Sequence, residues 1–230
     1  MTCGAVILAA GESRRMGRLK QVLPWGDRTV VEAAVDAALA AADIDEVVVV
    51  LGHEAEVVRA ALMSRPRPGM RIVVNADYRL GMLSSVKSGV RALAAETGAF
   101  LVAPADQPGI RPDDYGLVVQ AYRRARPRVD IVVPTYGGRG GHPTLFAGAL
   151  RQEVLDLPDN GQGLRDLIVR REGRVLRVEL GRPGMVEDLD TPEDYEQALE
   201  TMRRGDYGSP TVVPPRPVRN FFMRRGTSSQ

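Results

Sequence analysis

Val6-Ile-Leu-Ala-Ala-Gly-Glu-Ser-Arg-Arg-Met-Gly-Arg-Leu-Lys20 lies close to the start of the chain. The apolar run Ala5 to Ala10 reads as a short buried strand that stops at Gly11. A loop follows, carrying Gly11, Gly17, Arg14, Arg15, Arg18 and Lys20. Glycines let backbone N–H groups approach a ligand closely, and successive N–H groups in such a loop form a nest for anions. Cations beside a nest point to a polyphosphate. Two common phosphate motifs are excluded by spacing. A Walker A loop needs Gly-Lys-Ser/Thr where this chain has Met16-Gly17-Arg18, and the dinucleotide fingerprint needs a G-x-G-x-x-G pattern that Gly11 and Gly17 cannot supply. Taken singly, a Gly-rich basic loop also suits an ordinary strand-to-helix connection with surface arginines.

The strand–helix alternation continues along the chain. Strands are expected at Ala5–Ala9, Val47–Leu51, Arg71–Val74, Ala99–Ala103, Asp130–Pro134 and Arg174–Leu180. Helices are expected at Thr29–Ala41, Ala55–Met63, Leu83–Ala95, Pro112–Arg124, Gly148–Leu155, Leu164–Arg170 and Pro192–Met202. In the first helix Val31, Ala34, Val35, Ala38 and Leu39 share one face. Strands as apolar as Val47-Val-Val-Val-Leu51 suit a sheet buried on both faces. The alternation implies an α/β fold: a mainly parallel, Rossmann-like sheet flanked by helices, with right-handed connections. Ligands then sit at the carboxyl ends of the strands.

Composition bounds the rest. The chain has 230 residues, 44% of them hydrophobic, enough for one sizeable core. A formal charge of +2 is too small to argue for nucleic acid or an acidic membrane. Of the basic residues only Lys20 and Lys87 are lysines. The single cysteine, Cys3, allows no internal disulfide and reads as a small apolar residue opening the first strand. No apolar run reaches membrane-spanning length, and the basic residues follow the first apolar run, the reverse of a secretory signal. A cytoplasmic protein is expected. Residues 1–203 read as one domain. Residues 204–230, rich in Arg, Pro, Gly and Ser, read as a flexible or partner-docked tail with Phe221-Phe222-Met223 as its apolar cluster.

Further stretches carry chemistry. His53, in Gly52-His53-Glu54, reads as a solvated loop residue, because Val57 stands where a zinc-protease helix would need a second histidine. In Asn75-Ala-Asp77-Tyr-Arg-Leu-Gly81-Met-Leu-Ser84-Ser85-Val86, Gly81 permits a tight turn; Ser84 or Ser85 caps the next helix, and the other hydroxyl reads a base. Asp106, in Pro104-Ala-Asp106-Gln107-Pro108, follows a buried strand and is held stiffly between prolines. A lone Asp there is often only a turn former. Beside a polyphosphate loop it is more economically a Mg²⁺ ligand, since Mg²⁺ takes one or two carboxylates plus phosphate oxygens and water. Tyr136-Gly-Gly-Arg-Gly-Gly141-His142-Pro143 reads as a mobile loop or one pressed on a ligand. In Glu187-Asp188-Leu189-Asp190-Thr191-Pro192-Glu193-Asp194, Thr191 or Asp190 can cap a helix with Pro192 at its first position.

The first loop, Leu8-Ala-Ala-Gly-Glu-Ser-Arg-Arg-Met-Gly17 with Lys20 and Leu23-Pro24, resembles the signature of nucleotidyltransferases with a nucleotide-diphosphosugar-transferase-like fold. Within that group it is most similar to the molybdenum cofactor cytidylyltransferases. The resemblance implies that Leu8, Ala9, Ala10 and Gly11 wrap a nucleoside triphosphate whose phosphates are held by Arg15 and Lys20, while Arg14 and Arg18 are surface charge. It implies that Gly81, Ser84 and Ser85 close over the base, that Asp106 binds Mg²⁺, and that His142 of a G-H-P segment lies near the acceptor. Asp188 and Asp190 match a second metal segment, with Asp190 the ligand by position. Asp159-Asn-Gly161-Gln-Gly163-Leu-Arg165 is loosely similar to a further family segment, G-D-x-G-x-R.

The implied reaction is Mg²⁺-dependent transfer of CMP from CTP to the terminal phosphate of a molybdopterin acceptor, with a molybdoenzyme or insertion chaperone as recipient of the product. Rival readings are a sibling using GTP or a sugar phosphate, a non-catalytic cofactor carrier, and an oxidoreductase on the same scaffold.

Overall fold

The computed structural model describes residues 1–159 and 162–205. In chain order the elements are β1 (Cys3–Ala9), β2 (Pro24–Trp25), β3 (Arg28–Thr29), α1 (Val30–Leu39), β4 (Glu46–Leu51), α2 (Ala55–Leu62), β5 (Met70–Val74), α3 (Met82–Ala92), β6 (Ala99–Pro104), α4 (Pro112–Ala125), β7 (Ile131–Tyr136), β8 (Arg139–Gly140), β9 (Thr144–Ala147), α5 (Arg151–Leu155), α6 (Leu164–Arg170), β10 (Val175–Glu179) and α7 (Pro192–Arg204). Among the described residues, eight strands form one sheet in the order β10-β7-β9-β6-β1-β4-β5, with β8 paired to β7. β6, β1, β4 and β5 run parallel to one another, as do β7 and β10. β9 alone runs antiparallel inside this order, between β6 and β7. The architecture is the expected mainly parallel sheet flanked by helices.

The central strands are apolar throughout because helices cover both faces. Val6, Val48, Val49, Val50 and Leu101 have no exposed surface. α3 lies close on β1 and β4 because Gly89 has no side chain; a Cβ there would meet Val50 Cγ2 at 2.9 Å and Val6 Cγ1 still closer. Cys3 opens β1 fully buried, and burial pushes its thiol up to about 12, so it is an inert core residue as expected.

The sheet corrects the expectation for residues 136–147. The glycine run is not a loose loop. Gly137 and Gly138 (φ 57° and 79°) make the two-residue turn of a hairpin that pairs Thr135 with Gly140 and Tyr136 with Arg139. The chain then re-enters the sheet as β9, whose four residues are all buried. The small β2–β3 hairpin, also unexpected, joins the first loop to α1. The helix expected at Gly148–Leu155 divides into a 3-10 turn at Gly148–Leu150 and α5. α7 ends at Arg204, one residue past the expected domain boundary, and Gly205 caps it at φ 74°. The rest of the expected tail, with Phe221, Phe222 and Met223, lies outside the described residues, as do Asn160 and Gly161.

One buried charge cluster fastens α1 to the connection after α2. Arg67, 3% exposed, lies 2.9 Å from Glu32 and 2.7 Å from Asp36. Thr29 N and Ser64 Oγ also donate to Glu32, at 2.8 and 3.1 Å. Burial opposes the charge on Glu32, but hydrogen bonds from Thr29, Arg67 and Ser64 outweigh it and hold the pKa at about 2, below its ordinary 4.5. The stabilisation is therefore present above about pH 4.5 and is lost as the pH falls toward about 2. Glu32→Gln should cost about 1–3 kcal/mol near neutral pH, the cost of leaving buried partners unsatisfied. Denaturant melts across the acid range should show wild type and variant converging as the pH drops. A constant gap would contradict the assignment.

Candidate active site

The first loop leaves β1 at Ala10 and is shaped from within. Ser13 adopts a left-handed conformation (φ 55°), uncommon for a residue other than glycine. Its hydroxyl accepts from Lys20 N at 3.1 Å and donates to Gln21 Oε1 at 3.1 Å. Gln21, 3% exposed, donates in turn to Gly11 O at 2.9 Å. The loop is thus closed at its base, and Lys20 is aimed across the sheet edge. Met16 anchors its outer side in a second apolar cluster with Leu23, Trp25, Val30, Leu189, Tyr195 and Leu199. Arg18 stacks over Tyr195, 5.7 Å from the ring centre, and does not line the cleft.

That second cluster draws α7 and its preceding segment onto the loop. Leu189 N donates to Asp106 O at 3.0 Å, joining this segment to the end of β6. Thr191 caps α7: its hydroxyl accepts from Asp194 N at 3.2 Å, with Pro192 in the first turn. Asp190 is therefore free of the capping role. Its Oδ2 lies 2.8 Å from Arg15 Nη2 and its Oδ1 3.3 Å from Lys20 Nζ. Lys20 Nζ also makes a close ion pair with Asp106 Oδ2. Asp106 Oδ1 is buried and has no hydrogen-bond partner. Asp188 is placed differently. It takes a 2.7 Å hydrogen bond from buried Gln107, and burial, reinforced by Asp106, raises its pKa.

The opposite wall comes from the segment after β5. Gly81 precedes α3 at φ 111° and is its N-cap residue, so neither serine caps the helix as expected. Ser84 Oγ bonds to backbone oxygens of Asp77 (3.0 Å) and Gly81 (2.8 Å) and accepts from Asn75 Nδ2 at 2.8 Å. Ser85 Oγ accepts from the same amide at 3.0 Å, and Ser85 lines the cleft. His53 is not simply solvated. Its backbone N donates to Ala10 O at 3.2 Å, and its Nδ1 lies 3.4 Å from Tyr78 Oη. Tyr78 lines the cleft, while exposed Arg79 reaches back to Glu12 at 3.5 Å.

His142 arrives by the reversal of β9. An antiparallel strand starts where its parallel neighbours end, so the residues just before Thr144 lie at the carboxyl edge. His142 N donates to Met185 O at 3.0 Å, and Gly141 is pressed so closely on the Met185 backbone that no Cβ fits. The ring's Nδ1 is buried without a partner. Burial pushes the imidazole down to about 4, against the pull of Asp106.

These parts enclose one cleft of about 610 Å³. Of the residues singled out from sequence, Leu8, Ala10, Gly11, Arg15, Lys20, Gly81, Ser85, Asp106, His142, Asp188 and Asp190 line it. Ala9 is 1% exposed and Ser84 is turned to the backbone, so neither is in its wall. Arg14, expected as surface charge, lines the cleft beside Glu12. Gln21, Glu12, Tyr78, Arg79 and Met82 also line it and were not anticipated. Glu12, Tyr78, Arg79 and Met82 fall inside stretches singled out from sequence, whereas Gln21 follows Lys20 just outside one. Arg165, of the loosely matched segment, is exposed beside Leu157 and Gln162, away from the cleft.

The donor set fits a hard divalent cation in part. Among the described residues, no group of three or more His, Cys, Asp or Glu could hold a metal. Asp106, with its buried unpartnered oxygen, and Asp190 offer two carboxylates, the number Mg²⁺ uses when phosphate and water complete its shell. Lys20 and Arg15 add the positive charge that a polyphosphate needs. A strand-edge cleft combining a glycine loop, two cations and two carboxylates is the equipment of a nucleotidyl-transfer enzyme. Residues 5–175 match the MobA-like NTP transferase domain, and the chain belongs to that family.

The chain is 34% identical over 202 residues to nicotine blue oxidoreductase of Paenarthrobacter nicotinovorans, covering 84% of this chain and 95% of that protein. It is 27% identical over 195 residues to molybdenum cofactor cytidylyltransferase of Escherichia coli, covering 85% and 94%. The structure of Rv0371C complexed with manganese, from Mycobacterium tuberculosis, superposes with a TM-score of 0.71 at 27% identity, covering 87% of this chain and all of that one.

With a pKa near 4, His142 is neutral through the physiological range and can donate or accept a hydrogen bond but carries no charge. The kcat/KM profile between about pH 5.5 and 8 should therefore have the same shape in wild type and His142→Gln. An inflection near 6.5 that disappears with the substitution would contradict this.

Proposed function

We propose that the protein transfers CMP from CTP to the terminal phosphate of a molybdopterin-type acceptor and releases pyrophosphate. The observation that carries this reading is the meeting of Lys20 and Arg15 with Asp106 and Asp190 at one cleft, beside the Ala10–Gly11 loop. An acceptor phosphate oxygen attacks the α-phosphorus of CTP; a P–O bond forms there and the bond to the β-phosphate oxygen breaks. The nucleophile is already anionic at neutral pH, so no general base is needed. The protein's task is alignment and neutralisation of charge. Lys20 and Arg15 hold triphosphate oxygens, Ser85 and the Gly81 turn flank the base, and His142 contacts the acceptor from the β9 side. A divalent cation, Mg²⁺ in this reading, held by Asp106 and Asp190, would supply Lewis-acid stabilisation of phosphate charge. The product passes to a molybdoenzyme or its insertion chaperone.

A second reading has a specific basis: a relative 34% identical is named as an oxidoreductase. The two are separated by a single assay, pyrophosphate release with each of the four nucleotides, with and without acceptor. The oxidoreductase reading gives none.

The base preference follows from Ala10. Ala10 lines the cleft, and its methyl group packs against Gly52, where a Cβ would lie 2.8 Å from it. A methyl where guanine-using siblings carry glycine narrows the pocket, so CTP should be preferred to GTP by roughly 10–200-fold in kcat/KM, the scale of a small steric difference. Equal values would sink the assignment.

The carboxylates give the second test. Asp106→Asn keeps shape and removes charge, so it should fold normally and lose roughly 10²–10³ in kcat, the scale for removal of one preorganised electrostatic group. Asp190→Asn should lose less. The double variant should lose less than the product of the two, because groups serving one ion act as a unit. Full activity in Asp106→Asn, or strict multiplicativity with an unchanged Mg²⁺ requirement, would refute the shared metal site.

A further inference from the structure

The four charges at the carboxyl edge of β1 and β6 already balance one another. Lys20 Nζ is paired with Asp106 Oδ2 and lies 3.3 Å from Asp190 Oδ1, while Arg15 Nη2 lies 2.8 Å from Asp190 Oδ2. The Lys20 and Asp106 side chains are only 13% and 18% exposed, so these charges are screened little by water. Asp188 lines the same cleft but is engaged by Gln107 and makes no ion pair with Lys20 or Arg15. A divalent cation arriving alone finds Asp106 Oδ1 unpartnered, but Asp106 Oδ2 and both Asp190 oxygens already hold the ammonium or the guanidinium, whose charges it meets at close range. A triphosphate arriving alone must draw Lys20 and Arg15 away and leave two half-buried carboxylates unpaired, which is costly. Both penalties disappear when the two ligands arrive together: the cation takes the carboxylates and the phosphates take the side-chain cations.

We propose that Lys20 and Arg15 are internal counter-ions of Asp106 and Asp190, exchanged as a unit for a divalent cation and a nucleoside triphosphate, so that neither ligand binds tightly without the other. The proposal rests on the reading of the cleft as a metal-assisted nucleotidyl-transfer site. It gives Lys20 two partners in turn, carboxylate in the free protein and phosphate in the loaded one. Because binding linkage is reciprocal, the factor by which CTP tightens the metal equals the factor by which the metal tightens CTP.

The test uses the full chain and two binding measurements without turnover. Mn²⁺ is titrated into nucleotide-free protein by electron paramagnetic resonance, and CTP is titrated by calorimetry in the presence of a chelator. Lys20→Met should bind Mn²⁺ alone about tenfold or more tightly than wild type, within the usual range of coupling between sites, and bind metal-free CTP more weakly. Arg15→Met, whose side chain is 71% exposed and outside the core, should shift Mn²⁺ binding in the same direction by less. Adding Asp106→Asn to Lys20→Met should abolish the gain. A lysine serving phosphate alone would weaken CTP and leave Mn²⁺ binding unchanged; that result overturns the counter-ion exchange and leaves the transferase reading intact. Failure of wild type to bind Mn²⁺ even with CTP present would overturn both. If thermal melting shows that Lys20→Met is unfolded, the Arg15→Met titration decides by the same criterion: an unchanged Mn²⁺ affinity overturns the exchange.

Discussion

An ammonium group at the end of Lys20 joins carboxylates from two distant parts of the chain. Asp106 follows β6 and Asp190 precedes α7, yet both reach the same Nζ atom. Like charges so close together repel, and their approach is tolerable only with cations between them. The folding of the first loop is what delivers those cations. Its internal hydrogen bonds through Ser13 and Gln21 hold Lys20 toward the sheet, and Arg15 follows from the same turn. Loop shape thus places the cations, and their pairing with the two carboxylates sets the charge of the cleft.

Packing then fixes the distance between the segments. Met16 on the loop, Trp25 on the small hairpin and Tyr195 on α7 share one apolar cluster apart from the main core. Tyr195 also donates to Pro24 O at 2.5 Å. α7 is thereby held to the first loop across nearly the whole length of the described chain. The backbone bond from Leu189 to Asp106 completes the closure on the β6 side. These contacts are ordinary burial and hydrogen bonding, but they set where the charges stand.

Much of this was legible in the sequence because the parallel core is locally consistent. Apolar runs such as Val47–Leu51 can do little except form buried strands, and their carboxyl ends predict the cleft edge. Thr191-Pro192-Glu193-Asp194 is a helix start from composition alone, and α7 begins there. The reading failed where a short element depends on partners far away. Thr144–Ala147 is four residues long and becomes a strand only because β6 and β7 leave a slot for it. Ser84 and Ser85 look like helix caps, but the turn at Gly81 starts α3 earlier and Asn75 takes both hydroxyls. Tyr78, Arg79 and Glu12 meet at the cleft across loops, and no periodicity announces such a meeting.

The separation of tasks between Thr191 and Asp190 has a consequence for how this scaffold can change. Thr191 and Asp194 secure the helix start by a reciprocal capping box, while Asp190 spends its side chain on the charges of the cleft. A helix that does not depend on its neighbouring carboxylate keeps its footing when that carboxylate is replaced. The same is true of the first loop, whose shape is kept by Ser13 and Gln21 and not by Arg15. Residues that hold the cleft's form and residues that give it charge are therefore different residues. Lineages built on this frame can alter the chemistry at one or two positions without first rebuilding the fold, so kinship in sequence bears more firmly on shape than on reaction.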